Sequence, residues 1–95
     1  MSITRINNFK AAEGKEKELF DFLQSLRTYI TSSQGCISYE VLQEDNDLSN
    51  FVIIEKWVSI DFHKKSVADF PQEKMLKAMP LFGGAPSGSY YKTDS

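Results

Sequence analysis

Phe51-Val52-Ile53-Ile54-Glu55-Lys56-Trp57-Val58 is the stretch that decides the fold. It is rich in β-branched and aromatic residues, and alternation puts Phe51, Ile53 and Trp57 on one face and Val52, Ile54 and Val58 on the other. A strand that is apolar on both faces lies inside a sheet covered on both sides. Just upstream, Asp45-Asn46-Asp47-Leu48-Ser49-Asn50 is turn chemistry. Before it, Cys36 to Glu44 alternates Ile37, Tyr39 and Val41 with Ser38, Glu40 and Leu42. The two runs predict a hairpin.

Further upstream, Leu19, Leu23, Leu26 and Ile30 recur at helical spacing, with Phe20, Phe22 and Tyr29 widening the stripe. Gly35 stands where a helix ends, so the spacing predicts a helix over 15–33. From Ser2 to Lys10, Ile3, Arg5, Asn7 and Phe9 alternate with Thr4, Ile6, Asn8 and Lys10, which predicts a first strand. Downstream, Ser59 can cap a helix over 60–68, and Pro71 can open a second short helix through Ala78. Pro80, Gly83, Gly84, Pro86 and Gly88 make an extended loop, a candidate flap, before a last strand at Ser89-Tyr90-Tyr91-Lys92-Thr93. The order is βαββαβ: an α+β, ferredoxin-like domain over residues 1–95 with a four-stranded antiparallel sheet. Two helical regions cover only one side of such a sheet. The other side is expected to meet the sheet of an identical chain across a two-fold axis.

Composition narrows the function. The 95 residues carry 11 Lys and Arg against 13 Asp and Glu, net −2, with 41% apolar and 13% aromatic residues. At 10.8 kDa, surface scaling predicts roughly 5,500 Å² exposed against about 15,700 Å² unfolded, enough burial for a modest core. Bases are dispersed among acids and the sequence pI is about 5.3, so a nucleic-acid binder is not expected. No apolar run approaches membrane-spanning length, and the start, Met1-Ser2-Ile3-Thr4-Arg5, does not read as a signal peptide. The expected address is the cytoplasm, with no membrane partner. One cysteine, Cys36, and one histidine, His63, do not make a closed zinc site.

Four residues are candidates for chemistry. Asn7 shares a strand face with Ile3 and Phe9, where a carboxamide can orient a phenolic or carbonyl oxygen or satisfy neighbouring backbone. Glu55 and Trp57 share a face of the third strand. A carboxylate beside an aromatic wall can move protons and an indole can stack on a planar ligand, or the pair can be core packing with Glu55 held by a base such as Arg5. His63, six residues after Trp57, is placed to overhang that face as a proton acceptor, or to sit at the surface. No G-x-S-x-G elbow accompanies it, so a hydrolase triad is not expected. Cys36 reads as an inert thiol. Tyr90 and Tyr91 face opposite ways, one towards a pocket and one towards an interface.

Gly14 after the first strand, Gly35-Cys36-Ile37-Ser38-Tyr39-Glu40-Val41, and Phe51 to Trp57 followed by Ser59 and His63 together resemble the antibiotic biosynthesis monooxygenase (ABM) domain family of the dimeric α+β barrel superfamily. The resemblance covers nearly the whole chain. It implies a homodimer through the sheet faces and a pocket for a small aromatic. Proteins similar to this chain include cofactor-independent quinol-forming or anthrone monooxygenases, haem-degrading enzymes, a signal-molecule isomerase and proteins without known activity. In the haem-degrading branch a first-strand Asn, a Trp and a helix His form the site, and Asn7 and Trp57 match. The histidine does not: that branch has it ten residues after the tryptophan, where Val67 stands here, and other members have it at nine, where Ser66 stands. What the resemblance implies is therefore a monooxygenase without a cofactor, acting on a quinol-like or polyphenolic aromatic that reacts directly with O₂. Asn7 would orient the substrate oxygen, Trp57 would wall the pocket, and His63 or Glu55 would move the proton. The alternative is a noncatalytic dimeric small-molecule-binding or stress-related protein of the same fold.

Overall fold

In the computed structural model, which describes residues 2–92, strand β1 (Ile3–Lys10) lies inside the sheet. It pairs antiparallel with β3 (Asn50–Trp57) on one side and β4 (Ser87–Lys92) on the other, and β3 pairs antiparallel with β2 (Cys36–Gln43). The sheet order is β2-β3-β1-β4, with helices α1 (Glu16–Ser32), α2 (Ile60–Asp69) and α3 (Gln72–Ala78) in the connections and a 3₁₀ turn at Met79–Leu81. This is the α+β, ferredoxin-like arrangement with a four-stranded antiparallel sheet that the order of elements predicts. Boundaries agree to within about two residues. The last strand begins at Ser87 rather than Ser89, and Thr93 and Met1 lie outside the described residues.

Register sorts the side chains. Ile3, Arg5, Asn7 and Phe9 stand opposite Trp57, Glu55, Ile53 and Phe51, and Tyr90 stands opposite Arg5, so all of these share the helix-covered face. Along β3 the alternate residues Phe51, Ile53, Glu55 and Trp57 are buried. Leu19 and Leu23 of α1 are wholly buried against this face, and the Tyr39 hydroxyl donates to the Leu23 carbonyl at 2.6 Å. Gly14 and Gly35 flank α1 with φ of +78° and +86°, where a side chain is strained. At Gly35 a Cβ would also enter the Phe62 ring, which closes α2 onto the end of α1.

Three expectations need correction. Plain alternation groups Ile37 with Tyr39 and Val41, but the register shifts between Cys36 and Ser38. The extra residue of that bulge leaves Ile37 55% exposed while Tyr39 is buried. Ser59 occupies the N-cap of α2, yet its hydroxyl makes no capping bond. The Gly83-Gly84 loop is no flap: the Gly83 N–H donates to the Lys10 carbonyl at 2.7 Å, and a Cβ there would lie 2.6 Å from the Ala11 oxygen. Close backbone approach pins it to the end of β1.

Leu23→Ala should cost about 2–5 kcal/mol, because the side chain is wholly buried and a core relaxes only partly into such a space. Urea unfolding followed by circular dichroism at fixed protein concentration measures this. An exposed control on the same helix, Lys17→Ala, should change stability by less than about 1 kcal/mol.

Candidate active site

A cavity of about 500 Å³ lies between the helix-covered face and α1, α2 and the start of α3. The sheet contributes Asn7, Phe9, Ile53, Glu55 and Trp57; α1 contributes Leu26, Tyr29 and Ile30; and the second helical region contributes His63, Ser66, Val67, Phe70 and Met75. Trp57, Glu55 and His63, respectively 0%, 3% and 7% exposed, form its inner end. Val67 and Met75, 61% and 40% exposed, stand at its mouth. All four residues singled out in the sequence line this one cavity. Of the apolar partners sharing their faces, Phe9 and Ile53 line it, whereas Phe51 is packed under Phe20.

The inner end is a polar cluster inside an apolar wall. Trp57 Nε1–H donates to Glu55 Oε1 at 2.8 Å, and His63 Nε2 is 3.7 Å from the same oxygen, too long for a hydrogen bond but close for a charge. His63 packs edge-on against both Trp57 and Tyr90, with ring centroids 5.4 and 5.3 Å away, and its Nδ1 is 2.7 Å from the Tyr90 hydroxyl. Burial pushes the Glu55 carboxyl upward from its ordinary value, against the opposing pull of the Trp57 N–H and the Arg5 charge. Burial, with a smaller contribution from Arg5, holds His63 down from 6.5 to about 4. The imidazole is therefore neutral at pH 7 and able to accept a proton, which the Glu55 carboxylate would then stabilise from 3.7 Å.

Asn7 is held by a side chain rather than by backbone: Arg5 Nε–H donates to its Oδ1 at 2.8 Å. Arg5 does not form an ion pair with Glu55 among the described residues, and its guanidinium instead lies 4.6 Å from the Tyr90 ring centre. Of the two adjacent tyrosines, Tyr90 faces the site and Tyr91, 51% exposed, faces away. Arg5 and Tyr90 were readable as neighbours of the site, since Arg5 has the parity of Asn7, but the pairing of β4 with β1 was needed to bring Tyr90 to His63. Tyr29 closes the α1 side, its hydroxyl donating to the Ser66 carbonyl at 2.6 Å. Burial raises the Cys36 thiol, with Glu55 adding to the effect, which keeps it protonated and inert.

His63 gives the one histidine signal of a proton NMR spectrum, and its titration midpoint should fall near pH 4. Between pH 6.5 and 4 the unfolded chain binds a proton that the folded chain refuses, so this group lowers stability as pH falls through that window, by about 3 kcal/mol in full. Glu55, shifted upward, acts in the opposite sense above pH 4.5. The informative quantity is therefore the difference between the wild type and His63→Gln, which should shrink as the pH is lowered from 6.5 to 4.

Comparison with known proteins bears on what such a cavity is for. No curated protein matches the chain. Among solved structures, protein SO0527 from Shewanella oneidensis is 26% identical, with a TM-score of 0.83 over 95% of this chain and 88% of that one. A point variant of SnoaB, a cofactor-independent oxygenase from Streptomyces nogalater, is 15% identical, with a TM-score of 0.84 over 99% and 94%. Rv0793 from Mycobacterium tuberculosis is 14% identical, with a TM-score of 0.86 over 100% and 97%. These low identities speak to the fold. The family model described as antibiotic biosynthesis monooxygenase matches residues 2–69, which span β1 through α2 and with them Asn7, Glu55, Trp57 and His63, and on that match the chain belongs to the antibiotic biosynthesis monooxygenase family.

Proposed function

We propose that the protein is a cofactor-independent monooxygenase acting on a small quinol-like or polyphenolic aromatic. The observation that carries this reading is the cavity of about 500 Å³, apolar over most of its wall, with Glu55, Trp57 and His63 gathered at its inner end and Asn7 on the same wall of the sheet. Two or three fused rings fit such a space. The Asn7 amide meets the ring oxygen, the Trp57 indole walls the ring, and the neutral His63 imidazole, backed by Glu55, takes the phenolic proton. The anion left behind is electron-rich and is itself the reductant for O₂. For a substrate with an activated ring methylene, four electrons leave the carbon. One oxygen atom stays on it as a carbonyl, and the other leaves as water with the two hydrogens. The apolar wall keeps bulk water from the anion.

The outer sheet face supports the second part of the reading, a homodimer. Leu42, Val58 and Tyr91 are 42%, 53% and 51% exposed there, beside Ile6, Val52 and Ile54. The isolated chain exposes 6237 Å², more than the roughly 5,500 Å² expected of a monomer of its mass. A second copy laid on this face covers the apolar strip.

The rival reading, a noncatalytic binding or stress-related module, is favoured by one feature: Ser66 and Val67 occupy the helix positions where relatives resembling this chain carry histidine. Oxygen uptake with a panel of naphthoquinols and anthrones separates the two, since a binding module consumes none. If turnover is found, Asn7→Ala should lower kcat/KM roughly five- to hundredfold, about 1–3 kcal/mol, with folding retained. Light scattering at micromolar concentration should give about twice the 10.8 kDa chain mass, and Ile54→Lys on the outer face should drive it towards the monomer.

A further inference from the structure

Arg5 stands behind the cavity rather than in it, and it touches both ends of the polar cluster. Its Nε–H donates to Asn7 Oδ1 at 2.8 Å, and its guanidinium carbon lies 4.6 Å from the centre of the Tyr90 ring, whose hydroxyl is 2.7 Å from His63 Nδ1. Gly88, opposite Asn7 in the β1–β4 register, makes this possible. A Cβ there would overlap Asn7 Oδ1 and lie 2.5 Å from Arg5 Nη2, so the guanidinium and the amide oxygen occupy the place of a missing side chain.

This contact settles which way the amide points. A guanidinium carries donors and no acceptor, so Asn7 can present only its oxygen to Arg5. The amide nitrogen is then turned away from Arg5, and among the described residues it has no hydrogen-bond partner, while Asn7 lines the cavity. A positive charge on the oxygen side also polarises the amide, which makes its N–H a stronger donor. An aromatic ligand therefore meets a donor at Asn7, backed by a cation.

We infer that Arg5 is a positioning residue that turns the Asn7 amide so that the cavity takes its aromatic ligand by an anionic oxygen, as a phenolate rather than as a neutral phenol. The inference rests on the reading of the cavity as the ligand site. The other ionisable groups facing the ligand are Glu55, His63 and Tyr29, with Tyr90 behind His63. Glu55 opposes a phenolate where it is ionised. Its Oε1 is engaged by the Trp57 N–H, which partly offsets that charge, and the proton the phenol loses passes by way of His63 to solvent, since an imidazole held at about 4 does not keep it.

The probe is 2-naphthol, whose ionised form absorbs at longer wavelength than the phenol, with naphthalene as the isostere lacking oxygen. With the wild-type protein, bound 2-naphthol should show the phenolate band at a pH at least one unit below the midpoint of the free compound. Arg5→Gln, which can accept as well as donate and carries no charge, should lower the bound phenolate fraction about tenfold and weaken 2-naphthol binding by a similar factor. Naphthalene binding should stay within twofold, which shows that the cavity persists. Arg5→Lys, again donor-only and charged, should restore most of the phenolate band. A phenolate fraction unchanged in Arg5→Gln, or no rescue by Arg5→Lys, overturns the inference, and so does loss of naphthalene binding together with 2-naphthol. Failure of both probes on the wild type overturns the ligand site and this inference with it. Binding with the expected band shift but without oxygen uptake leaves the role of Arg5 standing and removes the monooxygenase.

Discussion

Glu55 is a carboxylate 3% exposed on the inner face of β3, among Phe51, Ile53 and Trp57, and the arrangement around it answers to the cost of putting it there. The Trp57 indole, two residues on and thus on the same face, donates to it at 2.8 Å. Arg5, directly across on β1, supplies positive potential without a direct ion pair, and His63 descends from α2 to within 3.7 Å. Each of these side chains is itself polar and buried or half-buried, so each recruits its own partner in turn: Tyr90 for His63, Asn7 for Arg5. The result is a connected polar network with no buried side-chain nitrogen or oxygen left without a partner among the described residues. Only an empty space next to it lets such a network act on something other than itself.

That space exists because the helical cover is incomplete. The second connection is broken at Phe70-Pro71 into α2 and α3, so no continuous helix runs over the β1 and β3 faces. Phe70 instead packs edge-on against Tyr29, with ring centroids 5.1 Å apart, and Met75 and Val67 remain at the edge of the opening. Proline lacks the N–H and fixes φ, which makes it a stop for α2 and a start for α3. The same break that weakens the cover produces the cavity mouth.

The close approaches at Gly35 and Gly88 show how backbone shape is spent on the site. Gly35 lets the Phe62 ring lie on the chain where α1 turns into β2, which sets the first turn of α2, and with it His63, beside the end of α1. Gly88 leaves room on β4 for the Arg5 and Asn7 side chains. Neither glycine lines the cavity; a side chain at Gly88 would displace Asn7, which does, and one at Gly35 would displace Phe62, the neighbour of His63 on α2.

The sequence by itself determined the strand and helix order, the two-sided apolar character of Phe51 to Val58, and the sharing of one strand face by Glu55 and Trp57. These follow from periods of two and 3.6 residues, which are local properties of the backbone. The β1–β3 register brought Asn7 to that same face. The sequence left His63 open between that face and the surface, and the docking of α2 placed it in the cavity. What only the tertiary structure decided involves contacts between segments far apart in the chain. The bulge that turns Ile37 outward, the docking of Gly83 on Ala11, the selection of Tyr90 over Tyr91 and the grip of Arg5 on the Asn7 amide each depend on which strand lies beside which and in what register. Period alone sorts residues into faces. Register, set by hydrogen bonding across strands and by the shapes the glycines leave open, decides which members of a face meet.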